Sequence, residues 1–341
     1  MQRTDGLAGL TAAGTPEPSV VSIGVFDGVH LGHAAILEAN LAKARQLGAT
    51  PTVVTFRGHP KQLLLGRAPL TLTSLDHRLE LFAAAGIAHT LVLDFTEDLR
   101  ALDAEAFTRR VLIDGLGARA FVLGFDSKFG HDRRGTPDFL RERGHDVEVV
   151  EAVRQGGRAV SSTAIREAVT LGDLAGAGAM LGRPVTLMGR VVRGDQRGRT
   201  MGFPTANLDL DHELSPPCGV YACRARLLDR PGTPAVDAAV NVGLRPTVVG
   251  PDDGPVEPSV EAHLLDFDGD LYEQRLALEF VAFLRAEGRF DGREALARAI
   301  AQDVVATRDA LAGAESPPSP LDGAPPSGTI RAPQGPWNTG R

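Results

Sequence analysis

Apolar, β-branched runs recur along this chain, and what separates them changes near residue 183. In the first half the runs are "VVSIGVF", "PTVVTF", "HTLVLDF", "AFVLGF" and "DVEVVEAV". Each of the first four is followed by a stretch with helical spacing. Strands that are apolar throughout are buried on both faces, which predicts a parallel sheet covered by helices, a doubly wound α/β domain. Ligands of such a domain belong at the carboxyl ends of its strands. In the second half the runs are "RPVTLMGRVVRG", "GVYACRARLLD", "VDAAVNVG", "SVEAHLLDF" and "RLALEFVAFLR", joined by Gly and Pro turns with no helices between them. That pattern predicts an antiparallel barrel or sandwich. One helix closes it, "DGREALARAIAQDVVATRDAL", with Asp291 as N-cap and Glu294 three residues on. Between the halves, "LGDLAGAGAMLGRP" predicts a helix leading into a linker.

A chain of 341 residues exceeds the ~150 residues of a typical domain, so two cores and a tail are expected. The spans are 16–182 and 183–312, followed by 313–341, a stretch rich in Pro, Gly and Ser that predicts disorder. A net charge of −7 argues against a duplex nucleic-acid partner, which calls for a basic stripe. Cys218 and Cys223 stand without a His or Cys cluster around them, so neither a disulfide framework nor a zinc site is expected. No run reaches the ~18 apolar residues of a membrane span, and the start has no long apolar segment. A cytoplasmic protein without a membrane partner is the expectation; oligomeric state is not legible.

The stretch "GVFDGVHLGH", residues 24–33, follows the first strand and precedes a helix expected to begin near His33. There a glycine-rich turn exposes backbone N–H groups and the positive helix end to an anion. Two imidazoles, His30 and His33, can donate hydrogen bonds to phosphate oxygens as charge develops in a displacement. The alternative is that they cap the helix or sit satisfied in a loop. With Gly24, Asp27, Gly28 and Gly32 around them, phosphate chemistry is the stronger reading. The stretch resembles the HxGH signature of the nucleotidyltransferase superfamily, and its longer form resembles the FAD synthetase branch.

Two further motifs are similar to that branch. "VLGFDSKFGHDRRG" carries Asp126, Phe129, Gly130 and Gly135, and "VSSTAIREAV" carries Ser161, Ser162, Thr163 and Arg166. Hydroxyls and an arginine at a helix start form a second phosphate cradle, although "SST" is a good N-cap in any protein.

In the second half, "RGDQRGRTMGFPTANLDL" combines glycines 194, 198 and 202 with Thr205 and Asn207. The Thr hydroxyl and Asn carbonyl are hard oxygen ligands suited to Mg²⁺ with bound nucleotide, while hairpin turns would use the same residue types. On "SVEAHLLD", Glu261 and His263 share one strand face, and Val260, Ala262 and Leu264 share the other. "GFPTAN", "GVYACRARL", "NVGLRPT", "VEAHLLDFDGDLY" and "FLRAEGRFDG" resemble, in order, the riboflavin kinase family, a six-stranded barrel.

Residues ~16–312 thus resemble the bacterial bifunctional riboflavin kinase and FAD synthetase family. The resemblance implies ATP as co-substrate, riboflavin and FMN as substrates, and FMN and FAD as products. Glu261 would draw the proton from riboflavin as it attacks ATP, with Mg²⁺ at Thr205 and Asn207. His30, His33 and Arg166, with Ser162 and Thr163, would stabilise charge as FMN attacks a second ATP. The implied nucleotide-binding set is Gly24, Phe26, Asp27, Gly28, Gly32, Asp126, Phe129, Gly130, Ser162 and Thr163, then Gly189, Gly198, Gly202, Thr205 and Asn207. The sequence departs from the family pattern at Arg57, Gly58, Ser127 and Ala164 in the first domain, and at Glu273 after "DLY" in the second. Alternatives are a riboflavin kinase with weakened or lost FAD synthesis, and a flavin-binding carrier without turnover; a carrier would not need Glu261.

Overall fold

A computed structural model describes residues 1–12, 16–58, 69–194, 201–244, 258–314 and 321. Two compact units share them, one ending at Ser162 and the other beginning at Thr163.

The first unit holds strands β1 (Gln2–Asp5), β2 (Ser19–Ile23), β3 (Thr50–Phe56), β4 (His89–Leu93), β5 (Ala118–Gly124) and β6 (Asp146–Val150). They form one sheet in the order β1-β4-β3-β2-β5-β6, every pairing parallel. Its α-helices are α1 (Gly6–Ala12), α2 (Leu31–Leu47), α3 (Leu75–Ala85), α4 (Glu97–Ala101), α5 (Ala104–Phe107) and α6 (Pro137–Glu142), with a small hairpin of β7 (Arg154–Gln155) and β8 (Arg158–Ala159) near its end. Successive strand residues point to opposite faces. Accordingly Val20, Ala120 and Val122 join one buried cluster, while Val21, Ile23, Phe121 and Leu123 join another. Both faces are covered, which is why these strands read as unbroken apolar runs. From β2 the chain runs outward through β3 and β4, then returns to lay β5 on β2's other side, so the topological switch lies between β2 and β5.

Three details differ from the sequence reading. Strand β1 lies ahead of residue 16; its sequence is polar, only Thr4 is buried, and main-chain pairing to β4 holds it. Strand β2 stops at Ile23, leaving Gly24–Phe26 in the loop, and α2 begins at Leu31, ahead of His33.

Helix α7 (Ser162–Thr170) carries the chain into the second unit, followed by α8 (Leu174–Leu181), which Asp173 caps and a left-handed Gly182 ends. Strands β9 (Thr186–Val192), β10 (Ala206–Asp209), β11 (Gly219–Leu227), β12 (Val236–Leu244), β13 (Pro258–Leu264) and β14 (Arg275–Arg285) close into an antiparallel barrel, β10-β13-β12-β11-β14-β9. Closure comes from β9 pairing with both β10 and β14. The buried residues Val260, Ala262 and Leu264 of β13 pair with the buried Val242, Val240 and Ala238 of β12, filling the interior. Helix α9 (Arg293–Ala312) packs on β11, β12 and β14, and Arg285 grips its Asp303 through two bonds of 2.7 Å. Asp291 does not cap α9: Gly292, at φ 96°, occupies the N-cap with no side-chain bond. Strand β10, inside the stretch read as loop, is the barrel's shortest. The expectation of disorder over 313–341 falls almost wholly outside the described residues.

Candidate active sites

The loop from Gly24 to His30 leaves the carboxyl end of β2, at the switch point, and is buried from Phe26 to His30. Its Phe26, Gly28 and Val29 adopt φ of 54°, 82° and 37°. A β-branched valine there is a true outlier, and such residues cost about 1–3 kcal/mol each unless the surroundings impose them. The surroundings do impose them. Gly24 N donates to Val54 O, and Val25 O accepts from Thr55 Oγ1 (3.1 Å) and the buried Arg78 guanidinium (2.5 Å). The Asp27 carboxylate, 3% exposed, accepts from Leu72 N (2.9 Å), Thr73 N (3.1 Å) and Thr73 Oγ1 (3.3 Å). Asp27 thus supports the loop, with these three bonds turned inward.

His30 is the N-cap of α2, its Nδ1 accepting from His33 N at 3.3 Å. An imidazole whose Nδ1 accepts carries its neutral-state proton on Nε2, so capping leaves His30 a donor at its outer nitrogen. The cap expected of this histidine is present, and it leaves Nε2 able to donate. The imidazoles stack at 3.7 Å between centroids, 15° from parallel, and Phe26 meets His33 edge-on at 5.1 Å. Gly32 makes room: a Cβ there would lie 3.2 Å from the His30 ring.

Because β2 pairs with β5, the "FDSKFG" loop after β5 emerges beside this one. Asp126 and Ser127 line an open cavity of about 340 Å³ with Phe125, Lys128, Thr136 and Arg141. Phe129 does not face it: the ring packs in the core near Phe107 and Phe139 and covers Gly135, where a Cβ would stand 2.4 Å from it. Gly130, at φ 72°, would press a Cβ to 2.7 Å from the Ala104 backbone. Both residues brace a tight turn. Ser162 Oγ donates to Asp27 O at 2.9 Å, a tie within the first unit. Thr163 and Arg166 follow on α7.

On the barrel, Asn207 of β10 lies directly opposite Glu261 of β13, and Glu261 opposite Asn241 of β12. Paired residues share a face, so the three form a row on the side of the barrel wall opposite the buried Val260, Ala262 and Leu264. His263 on the same face bonds Pro204 O at 2.8 Å and meets Phe203 edge-on, pinning the turn that presents Thr205. Asn207 is 6% exposed because the backbone at Gly194 lies against it: a Cβ on Gly194 would stand 2.3 Å from its Nδ2. Gly202 serves a turn at φ 83°, and Gly198 lies outside the described residues. Gly189 sits inside β9, where a Cβ would reach 2.3 Å from Asp209 O, so its missing side chain lets β9 and β10 approach.

Comparison with known proteins decides what these paired sites belong to. The family models for FAD synthetase and riboflavin kinase match residues 13–164 and 181–311. A bifunctional riboflavin kinase/FMN adenylyltransferase of Pseudomonas fluorescens is 40% identical over 293 residues, 85% of this chain and 92% of that protein. The chain belongs to the bifunctional riboflavin kinase/FMN adenylyltransferase family. Its Escherichia coli K12 relative is 36% identical, covering 86% of this chain and 93% of that one, and the Bacillus subtilis relative is 34% identical, covering 84% and 90%. A crystal structure described as a macrolide-efflux protein from Streptococcus pneumoniae superposes with a TM-score of 0.76 at 30% identity, covering 91% of this chain and 99% of that one. Among the described residues no helix is long and apolar enough to cross a membrane.

The departures from the family pattern have visible settings. Arg57, at the end of β3, donates to Asp94 (2.9 Å) and to Asp5 of β1 (2.5 Å), tying the added edge strand to the sheet's carboxyl rim. Burial lowers the Arg57 guanidinium, but its bonds to Asp94 and Asp5 outweigh this and raise it; Arg3, with Arg57, holds the Asp5 carboxyl below its usual range. Glu273 adopts φ 63°, where glycine is at ease. Sequence reasoning missed Thr73 and Arg78, which touch the loop only through the fold; the row of Asn241 beside Glu261 was hidden in strand register.

Proposed function

We propose that the two units divide a two-step synthesis between the residues described above. In the first step, at the barrel, Glu261 accepts the proton of the ribityl 5′-hydroxyl as that oxygen attacks the γ-phosphorus of ATP. FMN and ADP result. In the second step, at the β2–β5 switch point, an FMN phosphate oxygen attacks the α-phosphorus of another ATP and the β-phosphate oxygen leaves, giving FAD and pyrophosphate. His30 and His33 donate to the charge that develops, and the resemblance assigns Ser162, Thr163 and Arg166 to the same task. No protein nucleophile is needed, since positioning and electrostatics do most of the work in such transfers. The observation that carries the reading furthest is the register that sets Glu261 opposite Asn207.

Mg²⁺ belongs to the same proposal. Among the described residues no cluster of three or more His, Cys, Asp or Glu side chains could cage a metal. A hydroxyl at Thr205 and an amide oxygen at Asn207 instead fit the sparse protein ligation of an ion that arrives on nucleotide phosphates, where it neutralises phosphate charge. The spans 16–182 and 183–312 are proposed as the adenylyltransferase and kinase modules of a cytoplasmic enzyme with small-molecule substrates and no nucleic-acid partner. Chromatography of products tests the reading: riboflavin with Mg-ATP yields FMN and then FAD, and FMN with Mg-ATP yields FAD and pyrophosphate. Flavin binding without product would leave the carrier; FMN without FAD would leave the kinase alone.

A further inference from the structure

We propose that Thr73 is a positioning residue for adenylyl transfer, its hydroxyl holding the Gly24–His30 loop so that the two imidazoles face the reacting phosphates. This rests on the reading of the first unit as the site of FMN adenylylation. Thr73 is 1% exposed and out of reach of any ligand, so it acts through what it touches. Its Oγ1 accepts from Gly28 N at 2.9 Å and stands 3.3 Å from Asp27 Oδ1. A hydroxyl has one proton, and with Gly28 N–H occupying an acceptor position that proton goes to the carboxylate. One oxygen therefore ties two successive residues of the loop, and its own backbone N–H adds a third tie at 3.1 Å.

The tie falls where the loop resists its conformation. Gly28 and Val29 are both left-handed, and Val29 joins this anchor to His30. His30 in turn caps α2 and stacks on His33, so the far end of the loop is fixed by the helix while the near end rests on Thr73 and Asp27. Without the hydroxyl, Gly28 N–H loses this acceptor, Asp27 loses this donor, and the left-handed Val29 can relax. The imidazole then shifts against the bound substrate, which is a loss in turnover more than in affinity.

Thr73→Val keeps the shape and removes the hydroxyl; Thr73→Ser keeps the hydroxyl. Steady-state FAD formation from FMN and ATP is measured for both, with riboflavin phosphorylation by the same preparations as an internal control. Thr73→Val is expected to lower kcat for FAD formation by about 10- to 100-fold while KM for ATP moves less than about threefold. Thr73→Ser should recover most of that loss, and the kinase rate should stay unchanged in both. Should Thr73→Val not fold, Thr73→Ala, which also lacks the hydroxyl, must show the same split between kcat and KM. The proposal is overturned by an unchanged kcat, by a serine variant as slow as the valine one, or by kcat, ATP affinity and kinase rate falling together. A wild-type chain that makes no FAD would instead sink the reading of the unit, and Thr73's role with it.

Discussion

Gly194→Ala is a one-carbon probe of the kinase site. The backbone at Gly194 approaches the Asn207 side chain so closely that an added Cβ would stand 2.3 Å from Nδ2, 2.5 Å from Cγ and 2.6 Å from Oδ1. Ordinary carbon contacts begin near 3.5 Å, so the amide or the Gly194 backbone must move by about 1 Å, a misplacement that can cost on the order of 10²-fold in rate. The amide has little room to yield: it is buried, on a four-residue strand paired on both sides. Riboflavin phosphorylation should therefore fall by about 10²-fold in kcat/KM, and more Mg²⁺ should be needed to reach half-maximal rate. FAD formation from FMN serves as the control and should not change. A kinase rate within twofold of wild type, with an unaltered Mg²⁺ titration, would show that Asn207 is not where the chemistry needs it.

Three other outcomes follow from the same geometry. Burial lowers the pKa of His89, whose Nε2 lies 3.0 Å from Thr4 Oγ1. The unfolded chain then binds the proton more readily, so the first unit should lose stability as pH falls from 7.5 through about 6.5 towards the folded pKa; His89→Gln should flatten that slope in thermal unfolding, and an unchanged slope would count against it. Glu273→Gly should stabilise the barrel by about 1 kcal/mol in urea unfolding, because the turn imposes a left-handed backbone there; no gain would mean that the Glu side chain compensates. Arg57→Ala should loosen β1 with little change in kinase rate, read as faster amide exchange over Gln2–Asp5; unchanged exchange would mean that main-chain pairing alone holds the strand.

Much of this was legible in the sequence because the signals are local. Apolar runs such as "AFVLGF" announce a buried parallel strand by themselves, and the period of two on "SVEAHLLD" sets Glu261 on the face opposite Val260, Ala262 and Leu264. What escaped was set by distant partners. Strand β1 gives no apolar signal because an edge strand held by main-chain bonds needs no apolar code. Strand β10 hides inside a turn-rich motif, and only its pairing with β9 and β13 makes it a strand. Glycine is ambiguous for the same reason: Gly189 and Gly194 both lack a side chain because something comes close, in one case the carbonyl of Asp209 and in the other the side chain of Asn207. Phe129 and Gly130 sit in a motif, yet the fold uses them to brace a turn. At α9, Asp291 had the chemistry of a cap, but Gly292 had the conformation.

The central claim, that two separate sets of residues carry the two steps, is tested most directly by a crossed product assay. Glu261→Gln and the double variant His30→Ala/His33→Ala are each given riboflavin with Mg-ATP and, separately, FMN with Mg-ATP, and the flavins are resolved by chromatography. The account predicts that Glu261→Gln makes almost no FMN from riboflavin, a loss of about 10²- to 10⁴-fold for a positioned base, yet converts FMN to FAD at the wild-type rate. The double variant should convert riboflavin to FMN normally and stop there, its FAD formation reduced by about 10²-fold or more for each lost donor. FAD at the normal rate from the histidine variant, or loss of both steps in either one, would contradict it.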